Sequence, residues 1–110
     1  MKVLHLTLKK KWFDMIASGE KTEEYRDIKP YWHDRLYDFA IVSRNNSTAL
    51  KKPIAFKKFH CVQFKNGYSK NASTMSFWCL GIEIRKGNPE WGAIHNELYF
   101  VIKLGERIKP

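Results

Sequence analysis

KKWFDMIASGEKTEEYR, residues 10–26, changes from a helical to an extended pattern at a single glycine. Apolar side chains before the glycine, such as Trp12 and Ile16, recur at helical spacing, so a helix is predicted over residues 9–18. Gly19 stands where a left-handed glycine commonly ends a helix. The run that follows alternates as a strand does. The segment GEKTEEYRD, residues 19–27, includes this glycine and carries four acidic and two basic side chains. The stretch therefore predicts a helix, a glycine turn and a charged strand.

The rest of the chain predicts mostly strands. Alternating or apolar runs favour strands over residues 3–8, 38–43, 54–64, 76–86 and 97–104, and Pro30 favours a second short helix over residues 30–37. The polar segment 44–53 is predicted as a loop, and 65–74 as a hairpin connection. No repeat or linker interrupts the pattern, so we expect one α+β domain over residues 1–110. Its predicted form is a small, partly closed antiparallel β-barrel with the helices packed at one side.

Composition limits the classes of function. The chain has 110 residues and a formal net charge of +9, from 20 Lys and Arg against 11 Asp and Glu. Such a surplus favours polyanionic partners, although a lysine-rich surface without a specific partner is the alternative. Cys61 and Cys79 lie in apolar, strand-like runs, where buried free thiols are common. Without an apparent signal peptide or an apolar run long enough to span a bilayer, a cytoplasmic protein with reduced cysteines is expected.

The charged strand has the geometry of a site. Thr22, Glu24 and Arg26 share one face of an extended chain, so Glu24 can pair with Arg26 and hold its guanidinium for a second partner. Lys21 follows the helix exit directly, where alternation is not yet strict, and can reach the Glu24 face. The alternative is an exposed ion pair of little energetic consequence.

The same stretch resembles the ASCH domain family, whose motif is Gly-x-Lys-x-x-Glu-x-Arg after an amphipathic helix. Gly19, Lys21, Glu24 and Arg26 match that motif without a gap. The later segments FKKFHCVQFKNGYSKNAS and GIEIRKGNPEWG look like those of small, stand-alone bacterial and phage members. The resemblance covers essentially the whole chain. It implies a PUA-like β-barrel with two short helices flanking a cleft, in which the motif residues bind RNA or a modified nucleoside.

The first functional hypothesis is therefore recognition of RNA or a nucleotide. The expected ligand-binding residues are Gly19, Lys21, Glu24, Arg26, Trp91 and Lys11. Further lysines would form a basic rim for phosphates: Lys9, Lys10, Lys51, Lys52, Lys57 and Lys58. Exposed aromatic side chains would stack on bases, and Trp91, in a turn, is the preferred candidate over Trp12, Tyr25, Tyr31 and Trp32. Helical spacing favours the core for Trp12 and Trp32.

Two enzymatic hypotheses use the same residues, with Lys21 and Glu24 as the catalytic pair. Some ASCH members resembling this chain hydrolyse 4-acetylcytidine with a lysine and a threonine three residues later. Lys21 matches that lysine, but Glu24 occupies the threonine position, so Glu24 would instead act as a general base for water. The other hypothesis is metal-independent RNA cleavage, with Lys21 and Arg26 stabilising the phosphorane.

Other possibilities have less support from the residues. An interaction module that binds an acidic protein remains a further alternative. His60 and Cys61 would point to opposite faces of a strand, so no metal site is expected, and no nucleotide-triphosphate or dinucleotide motif predicts a cofactor. A monomer is favoured.

Overall fold

The computed structural model describes residues 1–45 and 48–110, and the chain divides into two compact units. The sheet unit comprises Met1–Asp27 and Lys58–Pro110, and the hairpin unit comprises Ile28–Lys57. Among the described residues, no helix combines the length and apolarity that crossing a membrane requires.

Seven strands and two α-helices make up the described structure. The sheet unit contains β1 (Val3–Leu8), α1 (Lys10–Ala17), β2 (Glu23–Asp27), β5 (Cys61–Asn66), β6 (Thr74–Lys86), a 3₁₀ turn (Pro89–Trp91) and β7 (Leu98–Ile108). The hairpin unit contains α2 (Pro30–Leu36), β3 (Tyr37–Asn45) and β4 (Thr48–Phe56). The prediction of an α+β fold with two short helices is confirmed.

The sheet unit is built on one five-stranded sheet in the order β1-β5-β6-β7-β2. The prediction of a purely antiparallel sheet is wrong at one edge, because β1 and β5 run parallel. Parallel neighbours need a long connection, and here α1, β2 and the whole hairpin unit lie between them in the chain. At the other edge, Arg26 Nη2 donates to the carbonyl oxygen of Thr7 in β1 at 3.3 Å. Since β1 and β2 are the two edge strands, this contact shows that the sheet curls.

The core lies in this curled sheet. Its largest fully buried side chains include Leu4 of β1, Ile16 of α1, Phe64 of β5 and Phe100 of β7. A smaller cluster contains Ala93, Tyr99 and Val101, with Tyr25 packed against it. Burial of these side chains is the main stabilising contribution to the unit, and it holds α1 against β1 and β5.

The hairpin unit departs most from the sequence prediction. Residues 44 and 45 and residues 48–53, predicted as loop, belong to β3 and β4, which pair antiparallel with irregular register. The other two residues of that segment lie outside the described residues. The run 54–64, predicted as one strand, is divided between β4 and β5 by residues 57–60. Polar and lysine-rich sequence thus forms a two-stranded ribbon, because cross-strand pairing depends on the partner strand as well as on local composition.

Candidate functional site

An open cavity of about 550 Å³ lies in the sheet unit. Its volume is within the range of small-molecule and cofactor sites, roughly 300–1,000 Å³. Parts of β1, α1, β2, the β5–β6 connection and the segment around the 3₁₀ turn form its wall. The lining residues are Thr7, Leu8, Lys9, Trp12, Lys21, Glu24, Tyr25, Arg26, Asp27, Gly67, Tyr68, Trp91, Gly92, Ile94 and Tyr99.

The exit of α1 aims Lys21 into this cavity. Gly19 has φ +85°, the left-handed conformation that the sequence predicted. Its N–H donates to the carbonyl of Ile16 at 3.1 Å, and the N–H of Lys21 donates back to Met15 at 3.0 Å. These two bonds fold the chain back over the last turn of the helix. Gly19 therefore shapes the site through its backbone and does not itself line the cavity.

Three ionic side chains form the floor of the cavity, and we call them the charged triad: Lys21, Glu24 and Arg26. Glu24 accepts from Lys21 Nζ through Oε1 and from Arg26 Nη2 through Oε2, each at 2.7 Å. The Lys21 and Glu24 side chains are only 2% and 8% exposed, and that of Arg26 is 19% exposed. Such desolvated charges are costly unless they are paired, and here one carboxylate serves both cations.

Aromatic rings complete the environment of Lys21. Its Nζ lies 4.7 Å from the ring centroid of Trp12 and 5.5 Å from that of Tyr25. Lys11 Nζ lies at 4.7 Å from the same Trp12 centroid, so Lys11 contacts the site through this ring and is not a lining residue. Trp12 is half-buried, not fully in the core as predicted, and its ring lies against Gly92, where an added Cβ would meet it at 3.0 Å.

A second ionic cluster, formed by Glu23 and Arg85, lies on the face of β2 opposite Glu24 and supports this wall of the cavity. Glu23 accepts hydrogen bonds from Arg85 and from the Tyr25 hydroxyl. Burial opposes the charged form of Glu23, but these hydrogen bonds outweigh it and lower the pKa of the carboxyl below its ordinary value. Burial, with the bond to Glu23 second, raises the pKa of Tyr25 far above its ordinary value, so its phenol remains protonated.

Two tyrosines hold the segment that carries Trp91. The N–H of Asn88 donates to the Tyr25 hydroxyl at 2.9 Å, and the N–H of Ile94 donates to the Tyr99 hydroxyl at 2.9 Å. The two rings pack with centroids 5.7 Å apart. Gly87 is required at the start of the segment, because an added Cβ would lie 2.6 Å from Ala93 Cβ and 2.8 Å from the Tyr25 ring. The position of Trp91 thus depends on hydrogen bonds to two tyrosine hydroxyls whose residues also line the cavity.

The structure brings together four of the six predicted ligand residues, since Lys21, Glu24, Arg26 and Trp91 all line the cavity. Sequence reasoning missed Tyr68, whose side chain is 90% exposed beside Gly67 in the β5–β6 connection. The available signal was the NGY turn between two strands, where an exposed aromatic side chain has no packing role. Of the other proposed aromatic residues, Tyr31 and Trp32 belong to the hairpin unit.

No group of three or more His, Cys, Asp or Glu side chains in residues 1–45 and 48–110 is arranged to hold a metal ion. Cys61 is buried and Cys79 half-buried, and both are free thiols. Burial raises the pKa of Cys79, which keeps this thiol protonated and weakly nucleophilic. Comparisons with protein families, with curated proteins and with solved structures gave no match to the chain.

Proposed function

We propose that the chain is an ASCH-type, PUA-like domain that recognises RNA or a nucleotide in the cavity over the charged triad. The observation that carries the proposal is an ion network of buried Lys21 and Glu24 with half-buried Arg26 in the floor of an open cavity. Buried ion networks are weak stabilisers, and apolar replacements of similar volume are often neutral or better for folding. A buried network at the base of a cavity therefore favours a role in binding.

The floor supplies a fixed cationic edge. Glu24 holds both cations, and Arg26 is also tied to the Thr7 carbonyl, so the guanidinium needs little reordering when a ligand arrives. A planar guanidinium matches a phosphate or the oxygen-bearing edge of a base. Lys9 adds a third cation to the lining, while Asp27 adds a second acid. The cavity is thus only weakly cationic, which suits one nucleotide better than a long stretch of phosphates.

The walls supply stacking surfaces. Because two ammonium groups already lie near the Trp12 ring, Trp91 and Tyr68 are the better platforms for a base. Stacking of this kind contributes about 1–3 kcal/mol per base and tolerates every base. An aromatic wall over a polar floor is the arrangement by which proteins bind an unstacked base.

The hydrolase and ribonuclease alternatives receive less support from the geometry. Both carboxylate oxygens of Glu24 already accept a hydrogen bond from a cation at 2.7 Å. A general base must instead offer an oxygen to the proton that it removes. Glu24 is therefore better placed to orient Lys21 and Arg26 than to activate water.

Binding can be tested by fluorescence anisotropy of a labelled single-stranded RNA, with free nucleoside monophosphates as competitors. We expect Trp91→Ala to weaken binding by roughly fivefold to 150-fold, the equivalent of about 1–3 kcal/mol of lost stacking. Arg26→Gln should weaken it too, and Arg107→Gln, which removes one exposed charge outside the cavity, is its matched control. Equal affinities for wild type, Trp91→Ala and Arg26→Gln would refute binding in the cavity.

An assay of turnover distinguishes the enzymatic alternative from a domain that only binds its ligand. Incubation of 4-acetylcytidine or RNA with wild type and Glu24→Gln, followed by chromatography of the products, should show no reaction in either case. Conversion by wild type that disappears in Glu24→Gln, with ligand affinity retained, would favour the enzyme over the binding domain.

A further inference from the structure

The density of positive charge along the chain is higher in the hairpin unit than in the sheet unit. Residues 28–57 carry six basic and two acidic side chains among 30 residues, a net charge of +4. The sheet unit carries 14 basic and nine acidic side chains among 80 residues, a net charge of +5. Per residue, the hairpin unit is therefore about twice as cationic as the unit that contains the cavity. Long-range attraction of a polyanion acts on such a concentration of charge.

The β3–β4 ribbon displays this charge on both of its faces. Lys51 pairs with Ile41 and Lys52 pairs with Ala40, and successive residues on a strand point to opposite faces. Both lysines are exposed. Their sheet contains only these two strands within the described residues, so one edge of each strand pairs with no further strand there. A ribbon of this kind can lie along a flexible polyanion and contact phosphates on either side.

The hairpin unit also exposes apolar and aromatic groups. Ile41, Leu50 and Ile54 are 53%, 56% and 63% exposed. Tyr31 on α2 is 59% exposed, and the Arg35 guanidinium lies 5.6 Å from its ring and donates to its hydroxyl at 2.9 Å. An exposed aromatic ring next to a guanidinium is suited to stacking on an unpaired base. An acidic protein would be recognised by the lysines alone, so the aromatic group favours nucleic acid.

We propose that the hairpin unit is a second binding surface, for single-stranded RNA, separate from the cavity. Lys51 and Lys52 contact the sugar–phosphate backbone, and Tyr31 stacks on an unpaired base. Single strands are favoured over duplexes because paired bases do not expose their faces. This surface acts without regard to sequence, and it requires no ligand in the cavity.

The test is anisotropy of a labelled oligouridylate of about 16 nucleotides with the whole chain across a salt series. Lys51→Gln/Lys52→Gln is the test variant, and Lys2→Gln/Lys109→Gln removes two exposed lysines of the sheet unit as the matched control. Loss of two phosphate contacts should reduce the slope of log affinity against log salt by about 1.4, and weaken binding about tenfold near 0.15 M salt. We expect the control variant to lose less than half as much. Tyr31→Ala should weaken binding without changing the slope.

Three results would overturn the proposal. Equal losses in the test and control variants would mean that the charge is diffuse, with the ribbon lysines serving only to prevent edge-to-edge pairing. Displacement of the RNA by polyglutamate of equal charge would identify an acidic protein as the partner. Tighter binding of duplex than of single-stranded RNA would refute the stacking role of Tyr31.

Arg26→Gln distinguishes this proposal from the cavity proposal. Affinity retained in Arg26→Gln but lost in the ribbon variant would support the hairpin surface and refute RNA binding in the cavity. The opposite pattern would support the cavity and refute the hairpin surface.

Discussion

Replacing Glu24 by Gln removes the one anion that serves two cations in the charged triad. The Lys21 ammonium, with its side chain 2% exposed, would then lie beside a neutral amide and two aromatic rings. Arg26 would lose the same partner, although it keeps its bond to the Thr7 carbonyl. The volume of the side chain hardly changes, so the effect reports on charge and not on packing.

The expected cost follows from the burial of the pair. Removing one partner of a buried ion pair typically costs about 3–5 kcal/mol, because the other charge stays desolvated and uncompensated. Domains of this size have total stabilities of about 5–15 kcal/mol, so the variant should fold but only marginally. At a urea dependence of roughly 2 kcal/mol per molar, the unfolding midpoint should fall by about 2 M.

Urea unfolding followed by tryptophan fluorescence measures this change. Asp14→Asn is the matched control, since Asp14 pairs with Lys10 on the surface of α1 and its side chain is 54% exposed. Exposed pairs of this type contribute less than about 1 kcal/mol. A similar fall in midpoint for both variants would refute the argument that burial makes the triad costly to break.

The triple variant Lys21→Met/Glu24→Leu/Arg26→Met tests whether the cost of Glu24→Gln comes from uncompensated buried charge. With all three charges gone, nothing buried is left uncompensated, so most of the stability lost in Glu24→Gln should return. The same variant should bind no ligand in the cavity. A triple variant as unstable as the single one would show that the triad is needed for folding, and would remove the main support for its role in binding.

Three further predictions concern the support behind the cavity. Tyr25→Phe leaves the N–H of Asn88 without its acceptor, so the free energy of unfolding should fall by about 1–3 kcal/mol. In a protein that retains Trp91 as its one tryptophan, the same substitution should change the Trp91 fluorescence. Gly87→Ala should cost about 1–3 kcal/mol, because the new methyl group overlaps both Ala93 Cβ and the Tyr25 ring. Gly105→Ala, at 3.1 Å from the flexible tip of Leu80, should cost less in the same urea assay. Because the folded-state pKa of Glu23 is lowered, the unfolded chain binds protons first on acidification. The contribution of Glu23 to the free energy of unfolding should thus be complete above about pH 4.5 and be lost as the pH falls through the folded-state pKa. Glu23→Gln should therefore make the free energy of unfolding less dependent on pH in this range.

The local features of the site were predictable from the sequence. Helical spacing up to Ala17, followed by Gly19, predicted where α1 ends. Lys21 lies so close to that end that its side chain was expected to reach Glu24, as it does. Strand alternation placed Arg26 on the same face as Glu24. These features depend on neighbours within a few residues, where backbone preference and side-chain direction decide the outcome.

The remaining features depend on distant parts of the chain. The parallel pairing of β1 with β5, and the curl that brings Arg26 to Thr7, arise from contacts between segments far apart in sequence. The NGY turn indicated that the Tyr68 ring is exposed, but only the course of the β5–β6 connection in the fold brings that ring to the cavity. The strand residues 44–45 and 48–53 were not predicted, because pairing with the opposite strand, and not local composition, decides that they are extended.

Recognition of RNA in the cavity is tested most directly by nuclear magnetic resonance, in a titration of ¹⁵N-labelled protein with a short single-stranded RNA. We expect the resonances of the Trp91 indole N–H and of the Lys21, Arg26 and Tyr68 amides to shift together and to saturate at one ligand per cavity. Arg26→Gln should weaken this response without changing the spectrum elsewhere. Unchanged cavity resonances at RNA concentrations that saturate the protein would contradict recognition in the cavity.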